Sequence, residues 1–231
     1  MAMTAAPNAT AQRPKSQSQR AVEELRSLIL RNELQAGGVY LETELAEMLD
    51  MSRTPVREAA LVLEAQGLVQ VRPRKGVRIL PVAINDMREI YDILTELESL
   101  AAFDAASKNY SEEQLGTLSE TIEHMDLAVA ADNREAWARA DDLFHEELLR
   151  LGGNERVVHV AAMMADQVHR AKRATLFIRP SPSKSNEDHR GVLEAIRDGD
   201  GERARAIHHQ HRQSARDMLI ALLEKHHLLQ L

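Results

Sequence analysis

The sequence predicts a mainly α-helical protein that consists of a small N-terminal helical domain with a β-hairpin and a C-terminal all-α antiparallel helical bundle. Apolar residues make up 44% of the 231 residues but aromatic residues only 3%, and such an aliphatic core favours helix-on-helix packing over a β-sandwich. Apolar residues recur at helical spacing through most of the chain, and strand-like alternation occurs only around residues 68–79. The length suits one large domain or two ordinary ones.

The composition excludes several kinds of site and location. The chain has no cysteine, which excludes a disulfide scaffold, a thiolate metal site and a cysteine nucleophile, and which suits a reducing cytosol. Residues 1–17 lack the apolar run of a signal peptide, and no stretch of about 18 uncharged apolar residues occurs. We therefore expect a cytoplasmic protein without a membrane partner, and a disordered arm over residues 1–17.

The net charge of −7 is unevenly distributed along the chain. Residues 51–78 carry six basic and two acidic side chains, whereas residues 18–50 carry three basic and seven acidic ones. Residues 81–231 have a net charge of −9. Positive charge concentrated on one short segment matters more for phosphate binding than the total charge does.

Residues 18–66 have the pattern of a helix-turn-helix. Apolar spacing predicts helices over residues 18–32 and around residues 45–49. After a turn at Asp50, Ser52 is a suitable N-cap for a further helix, and a proline in the first turn of that helix costs no hydrogen bond. Two short helices joined by a tight turn form this motif.

A β-hairpin is predicted directly after the helix-turn-helix. Alternating β-branched residues flank a basic turn at residues 73–76. A hairpin that follows the second helix of the motif is a wing, so residues 18–80 are predicted to form a winged helix-turn-helix domain.

The start of the second helix of the motif is the candidate DNA-reading surface. Such motifs place this first turn against base edges, and Arg53, Thr54 and Arg57 lie in it beside Ser52. Free backbone N–H groups at a helix start also bind phosphate. Taken singly, the two arginines are equally consistent with a solvated surface pair, but the helices, the capped basic start and the basic hairpin together favour DNA binding.

The remainder of the chain is predicted to be a helical bundle. Residues 81–85 form a short linker, and Asn85 is expected to cap the first helix of a domain over residues 86–231. Ser111 and Gln114 fit a capping box at the start of the next helix. Further helices are predicted over residues 133–151, 154–178, 185–198 and 202–226.

Four residues of the bundle have the types and spacing of a metal site. Asp141 and His145 are four residues apart and share one helix face. His189 lies ten residues before Gly199 and His211 ten residues after Gly201. An antiparallel helix pair would therefore place both imidazoles about 15 Å from the turn.

Three imidazoles and one carboxylate suit a divalent transition metal, with zinc or nickel favoured and manganese also possible. The alternative is that Asp141 is solvated, His145 is a hydrogen-bonded core residue, and His189 and His211 lie on the surface. Spacing alone leaves the two interpretations balanced.

The N-terminal domain resembles the GntR-type regulators. The resemblance is carried by the run SRTPVREA followed by EAQGLV, within residues 41–80. It implies that Arg53 and Arg57 contact operator bases or phosphates, and that the wing tip consists of Arg74, Lys75 and Gly76. The chain departs from the usual pattern at Glu33, Gly37 and Thr43, and these differences leave the operator sequence open.

The C-terminal segment is similar to the FCD ligand-binding domain of the FadR subfamily. The similarity is carried by ADDLFHEELL, EDHRGVLEAIRDGD and ARAIHHQH. It implies that the metal ligands are Asp141, His145, His189 and His211. The remaining histidines of the last helix and the C-terminus are expected to be exposed, namely His208, His209, His226 and His227.

The chain departs from the subfamily at a residue that matters for the effector. Many members carry an arginine four residues before the glutamate of the first helix of this domain, and this arginine binds an effector carboxylate. Here Glu98 is present, but Leu94 occupies the arginine position. Arg170 or Arg173 is the predicted substitute. A carboxylate remains the expected effector because an open metal position accepts carboxylate oxygen.

The sequence therefore predicts a homodimeric repressor that binds double-stranded operator DNA and whose affinity is controlled by a small organic acid. One alternative is a metal-dependent hydrolase fused to a DNA-binding module, since three histidines and one aspartate can hold a metal-activated water. The absence of an H-E-x-x-H general base argues against it. Another is an architectural DNA-binding protein whose bundle only dimerises.

Overall fold

The computed structural model describes residues 15–226 and residue 228, and it confirms the predicted mainly α-helical fold. The N-terminal helices are α1 (Gln17–Leu30), α2 (Glu42–Met48) and α3 (Arg53–Ala65). Three short strands form an antiparallel sheet in the order β1-β3-β2, with β1 (Val39–Tyr40), β2 (Val69–Arg72) and β3 (Gly76–Ile79). The second and third strands are the predicted wing hairpin, and they pair from Val69 opposite Ile79 to Arg72 opposite Gly76.

The first helix begins inside the segment predicted to be a disordered arm. Ser16 and Gln19 form a capping box, in which the Ser16 hydroxyl accepts from the Gln19 N–H and the Gln19 side chain accepts from the Ser16 N–H. The helix therefore starts at Gln17, and the arm prediction is wrong for this residue. Residues 1–14, where the rest of that prediction falls, lie outside the described residues.

The strand β1 was not predicted, and a glycine at the wing explains how β1 can pack against β3. Tyr40 pairs with Val77 of β3, and a two-residue strand is too short to show alternation. Gly76 has a φ of +92°, and a Cβ atom added there would lie 2.3 Å from the Tyr40 carbonyl oxygen. Only glycine allows this close approach of the wing to β1.

The C-terminal part is a helical bundle. Its helices are α4 (Ile84–Ala106), α5 (Gly116–Ala130), α6 (Arg134–Gly152), α7 (Glu155–Thr175), α8 (Ser183–Arg197) and α9 (Gly201–Lys225). The long helix α4 packs along α9 and α6, while α5 packs on α6 and α8 packs on α9. The apolar core therefore surrounds α4, and the candidate site lies where α4, α6, α8 and α9 meet.

Three local predictions about helix ends are corrected. Asn85 does not cap α4, because the helix already begins at Ile84 and its N-cap position is Ala83. The Ser111 and Gln114 hydrogen bonds of the capping box form, but a turn follows them and α5 starts only at Gly116. The helix α7 ends at Thr175, and the predicted last turn is a 3-10 helix (Leu176–Ile178). None of the helices in the described part of the chain is long and apolar enough to cross a membrane.

Candidate metal centre and nucleic-acid interface

The four predicted metal ligands come together in the bundle. Asp141 and His145 lie on α6, His189 on α8 and His211 on α9, and all four are buried. Each offers one ligand atom such that these atoms all lie within 4.8 Å of one another. The Nε2 atoms of His145 and His189 lie 3.9 Å and 3.7 Å from Asp141 Oδ1.

Local structure fixes the positions of the three helices. Gly199 adopts a φ of +70° and Asp200 caps α9 by accepting from the Arg203 N–H, so that α8 and α9 turn back against each other. The indole of Trp137 on α6 donates a hydrogen bond of 2.8 Å to Asn186 on α8. The tight turn between α8 and α9 and the hydrogen bond between α6 and α8 bring His189 and His211 beside Asp141 and His145.

The ionisation of the cluster suits metal binding. Burial holds the pKa of His189 well below its usual value, and both of its ring nitrogens are buried without a hydrogen-bond partner. Burial also lowers the pKa of His211, although Asp188 opposes this shift. Burial alone would raise the pKa of Asp141, but Lys172 and His145 hold it below its usual range. Neutral imidazoles and an ionised carboxylate are the forms that bind metal.

The residues therefore fit a divalent transition metal. The orphaned nitrogens of His189 are fully buried, and a buried polar atom without a partner carries a free-energy cost. A set of three nitrogen donors and one oxygen donor is typical of zinc and related ions.

A second buried group lies on the other side of His145. Glu98 Oε2 lies 2.9 Å from His145 Nδ1 and 3.5 Å from His208 Nε2. Arg212 Nη2 lies 3.4 Å from Glu98 Oε1. Burial alone would raise the pKa of Glu98, but Arg212 and His145 keep it below its usual range. Glu98 thus lies beside Nδ1 of His145 while Nε2 of the same ring faces Asp141, an arrangement similar to the carboxylate–histidine pairs of metal sites.

The expectation that His208 is exposed is therefore wrong, since its exposed fraction is 0%. It lies three residues before His211 and on the same side of α9, which faces α4. That spacing was the available signal. His209 is half-buried and His226 is exposed, and His227 lies outside the described residues.

Lys172 is a functional candidate that sequence reasoning missed. Its Nζ atom lies 2.5 Å from Asp141 Oδ2 and also contacts Asp142 Oδ1. Burial alone would lower the pKa of Lys172, but the two carboxylates raise it above its usual value. Asp141 thus has one oxygen facing the histidines and the other held by a cation on α7.

A cavity of about 210 Å³ opens beside the metal-ligand cluster. Asp141, His145 and His211 line it, and the cationic residues around it are Arg134, Lys172, Arg179, Lys184 and Arg212.

The two arginines predicted to bind the effector lie elsewhere. Arg170 and Arg173 are not among the lining residues that the structure gives for this cavity. Arg170 donates to the Leu80 carbonyl at 2.8 Å, and Arg173 is exposed. Leu94 lines a separate cavity of about 180 Å³, together with Leu30 of α1.

The predicted DNA-contacting residues form one exposed surface. Ser52, Arg53, Thr54 and Arg57 lie at or after the start of α3 and are exposed. Ser52 occupies the N-cap position, but its side chain makes no capping hydrogen bond.

The wing lies on the same side as the start of α3. Arg53 and Arg57 share a groove with Arg74 and Gly76 of the wing tip, and the adjacent Lys75 is exposed. Glu42 of α2 lies 3.3 Å from Arg53 and 4.0 Å from Arg57. The helix start and the wing can therefore contact one ligand together.

Helix α7 connects the N-terminal domain to the bundle. Asp166 forms an ion pair of 2.7 Å with Arg26 of α1. Gln167 donates a hydrogen bond of 3.0 Å to the carbonyl of Gln66, which is the C-cap of α3. These contacts lie within two turns of Lys172, so one helix touches both the DNA-binding helices and a candidate metal ligand.

Comparison with known proteins agrees with both halves of this arrangement. The FCD domain matches residues 89–214, and the gntR family of bacterial regulatory proteins matches residues 17–79. An HTH-type transcriptional regulator from an unstable DNA locus of Streptomyces ambofaciens is 31% identical over 201 residues, which cover 84% of this chain and 80% of the relative. The transcriptional repressor RspR of Escherichia coli is 24% identical over 172 residues, which cover 74% of this chain and 75% of the relative.

A GntR regulator structure from Rhodococcus sp. RHA1 has the same fold, with a TM-score of 0.72 at 19% identity, covering 90% of this chain and 99% of that one. These relatives are named as regulators and not as enzymes, so the hydrolase interpretation has no support. The chain belongs to the gntR family of bacterial transcriptional regulators, and its C-terminal part is an FCD domain.

Proposed function

We propose that this regulator is a homodimeric repressor whose operator affinity is set by a small organic acid bound beside a divalent metal. One observation carries the proposal: Asp141 faces the acid-sized cavity and the histidine cluster on one side, and is held on the other by Lys172 of the helix that contacts the DNA-binding domain. A change at the site therefore has a short route to the DNA-binding helices.

The metal would be held by Asp141, His145, His189 and His211. FCD domains are associated with metal binding, and the donor set suits zinc or nickel best, with manganese as a further candidate. When bound, such an ion supplies a Lewis-acidic position that accepts a carboxylate oxygen. Burial lowers the pKa of His189 and of His211, which favours the neutral imidazole that binds metal.

The charge around the cavity favours an anionic effector. Five cationic residues line the cavity, whereas only two carboxylates, Asp141 and Asp188, do so. A divalent ion would add further positive charge. Opposite charge at close range stabilises a bound anion most strongly where water is excluded.

Contacts along α7 provide the coupling between the two domains. Near the site, His169 lies 3.0 Å from Asp142 and Lys172 contacts Asp141. Near the DNA-binding domain, Asp166 and Gln167 hold α1 and the end of α3. An acid that binds better to one position of α7 than to another shifts the population of wing positions, and so changes operator affinity.

The proposed DNA contacts are the exposed residues of α3 and the wing, namely Ser52, Arg53, Thr54, Arg57, Arg74, Lys75 and Gly76. A two-fold symmetric dimer requires a palindromic operator, because each half-site meets one recognition helix. RspR, to which this chain is similar, is named a repressor, and this supports repression as the direction of control.

We expect Arg57→Ala to weaken binding to a selected palindromic operator by about 1–3 kcal/mol, since a bidentate arginine contact to a base contributes that much discrimination. Lys75→Ala should weaken binding to all sequences similarly and reduce the slope of log affinity against log salt by about one unit. Fluorescence anisotropy at several salt concentrations measures both effects. Arg156→Ala, at an exposed residue of α7, is the control. Unchanged affinity and sequence preference in Arg57→Ala would show that α3 is not the reading helix.

A further inference from the structure

We propose that Arg179 anchors a second acidic group of the effector, so that the ligand is a small acid with two anionic groups. The inference rests on the proposed function, because it takes the cavity of about 210 Å³ as the effector site. It assigns the ligand class and a specificity-determining residue.

Arg179 has a buried donor without an acceptor. The residue follows the 3-10 helix after α7 and lines the cavity. Its Nε atom donates to Thr175 Oγ1 at 2.9 Å, whereas its Nη2 atom is buried and has no hydrogen-bond partner. A buried guanidinium donor without an acceptor is costly. A ligand oxygen in the cavity would remove that cost.

The backbone around Arg179 is held in place by a second arginine. Arg134 Nη1 donates to the carbonyl oxygen of Arg179 at 2.6 Å and to that of Leu176 at 3.3 Å. Because the Nε atom of Arg179 is already fixed by Thr175, the guanidinium is oriented before any ligand binds. Preorganisation of this kind lowers the entropy cost of binding.

Three of the other cations around the cavity already have carboxylate partners. Lys172 is neutralised by Asp141 and Asp142, Arg212 by Glu98, and Lys184 by Asp188.

Within residues 15–226, neither Arg179 nor Arg134 has a carboxylate at ion-pair distance. Arg134 is committed to backbone carbonyls. Among the described residues, Arg179 is therefore the cavity arginine that has no carboxylate partner and also has a buried Nη2 donor without an acceptor.

The position of Arg179 suits a ligand that also reaches the metal cluster. One cavity is lined by Arg179 and by Asp141 and His211, so a single small molecule touches both ends. The planar fork of a guanidinium matches the two oxygens of a carboxylate or of a phosphorus acid. Leu94, at the position of the expected arginine, lines the other cavity, so the anchor comes instead from the α7–α8 connection.

The test compares acids of equal chain length that differ by one acidic group. Zinc-loaded full-length protein is titrated by calorimetry with butanoate, succinate and 3-phosphonopropanoate, and with pentanoate and glutarate. We expect at least one diacid to bind about tenfold or more tightly than its monoacid, as befits one charge-assisted contact. Comparison of succinate with 3-phosphonopropanoate identifies which acidic group is preferred.

Substitutions of Arg179 assign the preference to this residue. In Arg179→Gln the ratio of diacid to monoacid affinity should fall to near one, while monoacid affinity stays unchanged. Arg173→Gln, at an exposed residue outside the lining set, should keep the ratio. If Arg179→Gln loses helix content or metal, Arg179→Lys is the deciding variant. Lysine keeps the positive charge but lacks the planar guanidinium, so the ratio of diacid to monoacid affinity should lie between one and the wild-type value.

Two results would overturn the inference. One is a ratio near one for every pair in the wild-type protein, and the other is a ratio that neither Arg179 substitution changes. Metal-dependent binding of all acids at a ratio of one would contradict the role of Arg179 but leave the proposed function intact. No binding of any acid, with zinc or without it, would contradict both.

Discussion

Replacing His145 with alanine is expected to lower the affinity for divalent metal by more than about 100-fold, because loss of an outer-shell partner alone costs 10–100-fold. His145 is central to the cluster, since Nε2 faces Asp141 and Nδ1 faces Glu98. Wild-type protein should hold about one ion per chain, because the described residues contain one donor set of four residues. Elemental analysis of tag-free protein prepared without chelator measures the occupancy.

His124→Ala is the matched control for this loss, because His124 is exposed on α5. It should retain the ion. The metal assignment would fail if the wild-type protein holds no metal and its Tm does not rise with added zinc, nickel or manganese. It would also fail if His145→Ala and His124→Ala bind metal equally well.

Replacing Lys172 with methionine is expected to destabilise the metal-free protein by about 3–5 kcal/mol, because removal of one partner leaves a buried charge uncompensated. Asp141 would lose its closest cation while remaining 3% exposed. The loss should be smaller in metal-loaded protein, since a bound ion would supply positive charge to the same carboxylate. Urea unfolding of both forms measures the difference.

Lys184→Met is the control for the removal of a lysine. The Lys184 side chain is 76% exposed although it pairs with Asp188, and solvent screening leaves such exposed pairs with little effect on stability. Equal destabilisation by the two substitutions would show that Lys172 does not neutralise the site. If Lys172→Met destabilises the metal-loaded protein as much as the metal-free protein, then Lys172 and the metal do not act on the same carboxylate.

The elements that sequence reasoning predicted well are those with local signals. Helical periodicity placed most helix ends to within about two residues, whereas the start of α2, the start of α5 and the end of α7 differ by three residues or more. The symmetric spacing of His189 and His211 about Gly199 and Gly201 predicted that they lie close together. In an antiparallel helix pair, two residues that are equally far from the turn lie at the same level along the helix axes.

The features that were missed depend on contacts distant in sequence. Lys172 contacts a carboxylate 31 residues earlier in the chain. Arg179 is a candidate because its buried Nη2 donor has no hydrogen-bond acceptor. β1 gains its hydrogen bonds from a strand almost 40 residues away. Neither periodicity nor capping signals report such partners. Arg170 and Arg173 had the right charge, but tertiary packing directs Arg170 to a backbone carbonyl and leaves Arg173 exposed.

The claim that a bound acid controls DNA affinity through the metal site is tested most directly by operator affinity with and without acid, in metal-loaded and in metal-free protein. The acid is the one with the largest thermal shift, and circular dichroism checks that the bundle stays folded without metal. In metal-loaded protein, we expect the acid to weaken operator binding about 5–150-fold, the usual range of coupling between sites. Removal of the metal should abolish this response, and Gln167→Ala should reduce it. An acid that releases the operator equally well without metal would contradict the account, as would operator affinity that no acid changes.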